Sequence, residues 1–260
     1  MKPNTFRQRV SWLSRLVMLG LAWGGQVGLA HAASFSLTPT RLVLGPTTTS
    51  TIVTVTNHGG TAMRFQLTAF AWDQTETGQI ALADTTDVVV YPTLVVIEPG
   101  ESRRIRVAVT RPATAVERTY RLFVEELPDH TEAPSAAMGV QVRTRMGVPI
   151  FVQAARAQSQ MSIGRVELRD GALWVRVSNS GSAHAVLQRL DVRGASASGA
   201  PAFNASVNGW YVLAGHEQVF RVPVTGTECL GIAEFTVAAE FEGGPPATSR
   251  ARVNRLACGQ

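Results

Sequence analysis

Residues 137–151, AMGVQVRTRMGVPIF, alternate with period two. Met138, Val140, Val142, Thr144, Met146 and Val148 share one parity, while Gly139, Gln141, Arg143, Arg145 and Gly147 share the other. Successive side chains of a β-strand point to opposite faces, so the run reads as one strand. It is longer than the usual five or six residues. Two readings are open on this stretch alone. In one it is the last strand of a sandwich, with its inner face buried and its arginines outward. In the other, part of it is lent to a second protein.

The same period recurs along the chain. Phe35–Leu44 reads as a first strand, and Pro39 within it points to an edge or to a switch between sheets. Ser50–Thr56, Met63–Trp72, Val88–Tyr91, Leu94–Ile97, Ser102–Thr110 and Thr119–Glu126 follow. Turn signals separate them, such as Glu98-Pro99-Gly100. After Phe151 the composition shifts to a linker, Gln153–Ser159, and a second set of strands begins at Met161. Gly194–Ser206, rich in small residues, reads as a mobile loop within that set. No helical period of any length appears after residue 32. The fold class is therefore all-β, as two immunoglobulin-like β-sandwich domains. The expected divisions are 1–32, 33–155 and 156–260.

Residues 1–32 read as a cleavable signal peptide. Lys2, Arg7, Arg9 and Arg15 precede an apolar run from Leu16 to Leu29, and Ala30-His31-Ala32 supplies the small residues of a cleavage site. Its removal leaves 20 cations against 19 acids. The basic balance of the whole chain is then no argument for a nucleic-acid partner. Lys2 is the only lysine, so every side-chain cation of the mature chain other than histidine is an arginine. Cys229 and Cys258, an even pair in an exported chain, are expected to form one disulfide.

Catalytic chemistry is missing. His58, His130, His184 and His216 are scattered, with no ligand-spaced pair, so neither a metal nor another cofactor is expected. There is no GxSxG nucleophile elbow and no phosphate-binding glycine loop. Glu125 and Glu126 are neighbours on a strand and face opposite ways. Nothing argues for an enzyme or for a small-molecule substrate.

Four segments, in order, resemble the periplasmic pilus (fimbrial) assembly chaperones, the PapD-like family. They are Leu37-Thr38-Pro39-Thr40-Arg41-Leu42-Val43-Leu44; Ile97-Glu98-Pro99-Gly100 with Arg104-Ile105-Arg106-Val107; Arg121-Leu122-Phe123-Val124-Glu125-Glu126-Leu127-Pro128; and Val148-Pro149-Ile150-Phe151-Val152. The match covers the first domain; the second agrees in size and strand content. The resemblance implies a boomerang of two domains acting in the periplasm. It implies a chaperone that binds pilus or fimbrial subunits by donor-strand complementation and delivers them to an outer-membrane usher. An open subunit groove exposes a sheet edge and apolar surface, and a lent strand covers both.

By the same resemblance, the donor side chains are Met138, Val140 and Val142, with Thr144 weaker, while Met146 and Val148 pack internally. The family anchors the subunit's terminal carboxylate with two cations. One matches Arg41. The other, a lysine on the long strand, aligns with Gly147, and Arg145, of the same parity, is the expected replacement. Arg106 and Glu117 match the first-domain members of an interdomain network, with Glu228 a candidate from the second domain. Gly147 and the short connection at 128–136 lean toward the archaic chaperone–usher group. Self-association would mask the donor strand of the free chain. The competing reading is a secreted β-sandwich fibre subunit or adhesin.

Overall fold

The computed structural model describes residues 35–75, 77–128, 142–254 and 258. The expected signal peptide, Met138 and Val140 lie outside them.

The first sandwich holds two sheets. One has the order β1 (Phe35–Thr38), β3 (Ser50–Asn57), β8 (Ser102–Val109), β6 (Val88–Tyr91). The other runs β2 (Leu42–Leu44), β10 (Arg145–Val152), β9 (Arg118–Leu127), β4 (Met63–Gln74), β5 (Ile80–Asp84), with β7 (Leu94–Ile97) also on β4. The expected first strand is thus two. The chain leaves one sheet at Thr38 and enters the other at Leu42, with Pro39 between, as a proline that cannot donate to a ladder allows. The two inner faces meet in one core: Val53, Val55, Phe65, Ile97, Ile105, Val107, Leu122, Val124 and Ile150 are buried there.

The second sandwich pairs β11 (Met161–Arg169), β12 (Ala172–Asn179) and β16 (Glu217–Pro223) with a sheet ordered β14 (Pro201–Asn208), β13 (Ala185–Ala195), β17 (Glu234–Phe241), β18 (Ala247–Arg252). β15 (Tyr211–Val212) adds to β13. The loop expected at 194–206 is instead largely strand: β14 pairs with β13 from Pro201 to Asn208. Ala202, Asn204 and Ser206 look loop-like, but they alternate with Phe203, Ala205 and Val207, which pack on the core. An edge strand needs only that one apolar face.

Each sandwich closes one turn around a buried asparagine. The Asn57 side-chain amide donates to the Thr61 and Ile97 carbonyls, and its Oδ1 accepts from Gly59 N–H. Asn179 repeats this with Ala183, Val212 and Gly181. Buried amides require such partners. The one described helix, α1 (Gly226–Gly231), is a single turn with a capping box of Thr225 and Glu228. Cys229 on it is paired with Cys258, their Cα atoms 5.6 Å apart.

Candidate functional site

β10 has an asymmetric environment. It pairs antiparallel with β9 along its whole length, Arg145 opposite Glu125 to Val152 opposite Arg118. On its other side β2 runs parallel to it at Ile150–Val152 only. Among the described residues, Arg145–Pro149 has no strand on that second edge. The inward parity is ordinary core: Val148, Ile150 and Val152 are buried and Met146 packs against them. Just ahead of the strand, Thr144 stays in register, its carbonyl accepting from Glu126 N–H at 3.1 Å. Val142 is 80 % exposed. An apolar side chain so exposed beside an open strand edge is what a strand-adding partner would cover.

Arg41 stands directly before β2, where the open edge ends. Its guanidinium grips Glu242, at the end of β17, with Nη1 donating to Oε2 at 3.2 Å and Nη2 to Oε1 at 3.0 Å. These bonds hold the Glu242 carboxyl below its ordinary value of 4.5 and raise Arg41. A depressed carboxyl pKa gives stability that is present above the unfolded value and lost as pH falls through the folded one. We expect Arg41→Ala to return the Glu242 midpoint upward toward 4.5, read from its carboxyl-carbon NMR titration. An unchanged midpoint would show that the fork is not formed in solution.

Arg145 does not join Arg41. Its Nε lies 3.4 Å from Glu125 Oε2 and its guanidinium 3.9 Å from the Phe123 ring centroid, on the outer face of the sheet. A different arginine was missed in the sequence. Arg121, on β9 opposite Pro149, lies over two indoles, 5.0 Å from the Trp72 centroid and 5.1 Å from that of Trp210. Its Nε and Nη1 are buried and have no hydrogen-bond partner among the described residues. Burial pushes its pKa down. It occupies room that Gly147 leaves: a Cβ at Gly147 would stand 2.9 Å from Arg121 Nε and 3.1 Å from Phe123 Cε1. The departure at Gly147 was the available signal.

The seam between the sandwiches has an apolar part and a polar part. Trp72, Phe151 and Leu213 form a buried cluster with Tyr211 beside it. Gln74 closes it, its amide donating to the Tyr211 carbonyl at 2.7 Å while its Oε1 accepts from Leu213 N–H at 2.9 Å. Glu117 sits on the polar part, accepting from His184 N–H at 3.1 Å and from the Gln153 amide, with His184 Nδ1 at 2.9 Å. Arg106, expected in this network, is not there. Ile105 and Val107 fill the core, so strand parity turns Arg106 to the exposed outer face of β8. Glu228 is likewise elsewhere, accepting from the Thr225 N–H and hydroxyl at the start of α1. Among the described residues no group of three His, Cys, Asp or Glu side chains could hold a metal ion.

Comparison with known proteins agrees with this architecture. Residues 34–157 match the family model of the pili and flagellar-assembly chaperone PapD N-terminal domain. A search of curated proteins finds no match. Among solved structures, the chain is similar to one from the CsuC–CsuE chaperone–tip adhesion subunit pre-assembly complex of the archaic chaperone-usher Csu pili of Acinetobacter baumannii. There the identity is 19 %, with 83 % of this chain and 98 % of that one covered and a TM-score of 0.59. It is similar also to a chain of the Salmonella enterica SafA pilin–SafB chaperone complex (13 %, 84 % and 97 %, TM-score 0.57) and to the class 5 fimbriae chaperone CfaA (15 %, 83 % and 98 %, TM-score 0.53). At such identities the likeness is one of fold. The family match itself, over residues 34–157, makes the first sandwich a PapD N-terminal domain of the kind found in pili and flagellar-assembly chaperones.

Proposed function

We propose that this chain is a periplasmic chaperone that holds pilus or fimbrial subunits by donor-strand complementation and delivers them to an outer-membrane usher. The half-open edge of β10, with Val142 80 % exposed just ahead of it, carries the reading. A subunit lacking one strand presents an apolar groove between two sheet edges. The stretch leading into β10 offers alternating apolar side chains to fill it, each worth roughly 1.5–3 kcal/mol on burial. The added ladder supplies the direction of pairing. Solved chaperone–subunit complexes of the same fold support this class of partner. Gly147 in place of a strand lysine favours the archaic group.

The test is co-purification. The tagged chain is co-expressed with small exported proteins that carry incomplete sandwiches. The wild type is expected to retain one of them stoichiometrically. Val140→Asp/Val142→Asp, still folded by circular dichroism, is expected to bind it at least about 100-fold more weakly, since two buried apolar contacts are lost. Equal retention by both would leave the family's fold without its function and favour a fibre subunit or adhesin.

A further inference from the structure

A groove of about 600 Å³ opens where the first sandwich meets the turn at 213–216 of the second. Small-molecule sites span about 300–1,000 Å³. The side chains explain why the space is there. Ala71 on β4 is opposite Ala83 on β5, and Ala81 is opposite Asp73. Alanines at the open end of a sandwich leave room that larger residues would fill. Leu82, Val116 and Leu213 complete an aliphatic lining. Leu82 and Val116 are exposed at its rim.

The charged groups lining the groove are matched, except one. Asp73 Oδ1 is 2.6 Å from His216 Nε2, a contact that joins the two sandwiches. Asp87 accepts from the Tyr120 hydroxyl at 2.9 Å and lies 3.6 Å from Arg111 Nε. Glu117 is held by His184 and Gln153. Arg118 lines the same groove without an ion pair among the described residues, and its Nη1 is buried with no hydrogen-bond partner there. Its charge reaches the Tyr120 phenol, where it opposes the upward push of burial. A guanidinium keeps its charge in proteins, and burying part of it without an anion is costly. An anion in the groove offsets that cost through whichever nitrogen it meets.

The lining also selects the body of the ligand. The rings of Trp72 and Tyr120 are buried, so neither offers a face for stacking. Aliphatic surface is what remains. We infer that the groove binds an aliphatic monocarboxylate of the fatty-acid class, with its head group at Arg118 and its chain along Ala71, Ala83, Leu82 and Val116. The site shares no residue with the open edge of β10 and does not depend on strand addition there.

The probe is octanoate, with 1-octanol as its uncharged analogue, titrated into the full mature chain by calorimetry. Octanoate is expected to bind about tenfold more tightly than octanol, as a charge-assisted contact warrants. Arg118→Gln should erase that preference and leave octanol binding unchanged, while Arg118→Lys should keep part of it. Ala83→Trp, at an exposed position of the edge strand β5, fills the space and should weaken both ligands at least about tenfold. Alanine-methyl NMR of the wild type should place both ligands at Ala71 and Ala83. Equal binding of the two ligands, a preference that survives Arg118→Gln, or affinities unmoved by Ala83→Trp overturns the assignment. So does movement of other alanine methyls with Ala71 and Ala83 unmoved, which is adsorption to apolar surface only. Octyl phosphate should bind no more tightly than octanoate; binding about tenfold tighter would make a lipid phosphate the head group and overturn the carboxylate. The absence of binding by octanoate and octanol alike overturns the site altogether.

Discussion

Phe151→Ala is expected to cost about 3–5 kcal/mol, the range for removing a buried phenylalanine, and to split thermal unfolding into two transitions. Phe151 is fully buried, yet it belongs to the outward parity of β10. Its ring stacks on His184 of the second sandwich, with centroids 3.5 Å apart and planes 12° from parallel. It also meets Trp72 at 5.9 Å and Tyr211 at 5.4 Å. The void left by alanine could not close easily. Trp72 is fixed on β4, and the Tyr211 carbonyl is held by both Gln74 and Gln218. Each sandwich keeps its own core when this ring is removed, so the loss falls on the coupling between them. Calorimetry reads it directly: one transition in wild type, two in the variant. A single transition displaced by less than about 1 kcal/mol would mean that the ring adds little to the seam.

The seam also marks where sequence reading stopped. Period two along β8, β9 and β10 identifies the inward residues, and the structure buries Ile105, Val107, Leu122, Val124 and Val148 accordingly. Pro39 marks the change of sheet. Alternation is a local signal, however, and says which face a residue takes without saying what lies across from it. Phe151 and Arg121 have outward parity, and their surroundings come from Trp72, Trp210 and His184, far away in the chain. Gln74 looks like a polar strand end until the Tyr211 carbonyl and Leu213 N–H are brought to it. Resemblance pointed to Glu117, which meets His184 at the seam, and equally to Arg106, which stands exposed on the outer face of β8; parity alone could not separate the two cases. β14 was hidden for another reason: alanine, serine and asparagine on its outer face resemble a loop, and only Phe203, Ala205 and Val207 betray the strand.

Glu117→Ala should destabilise the seam by about 3 kcal/mol or more, because it strands donors instead of merely removing an acceptor. The Glu117 side chain is fully buried. It serves the His184 N–H, the His184 ring and the Gln153 amide, while its own N–H donates to the Ser182 carbonyl at 2.9 Å. Alanine leaves that backbone bond in place and removes the acceptor from the others, leaving the Gln153 amide and the His184 ring only their 3.4 Å contact with each other. Glu117→Gln keeps the shape but turns an NH2 group toward one of those donors, so it should restore only part of the loss. A double-mutant cycle with His184→Ala separates the alternatives. If Glu117 acts through His184, the double variant should be less destabilised than the two single losses combined, by more than about 1 kcal/mol. Strict additivity would place the role of Glu117 with Gln153 alone. In that case the carboxylate would order the exit of β10 without tying the second sandwich to it.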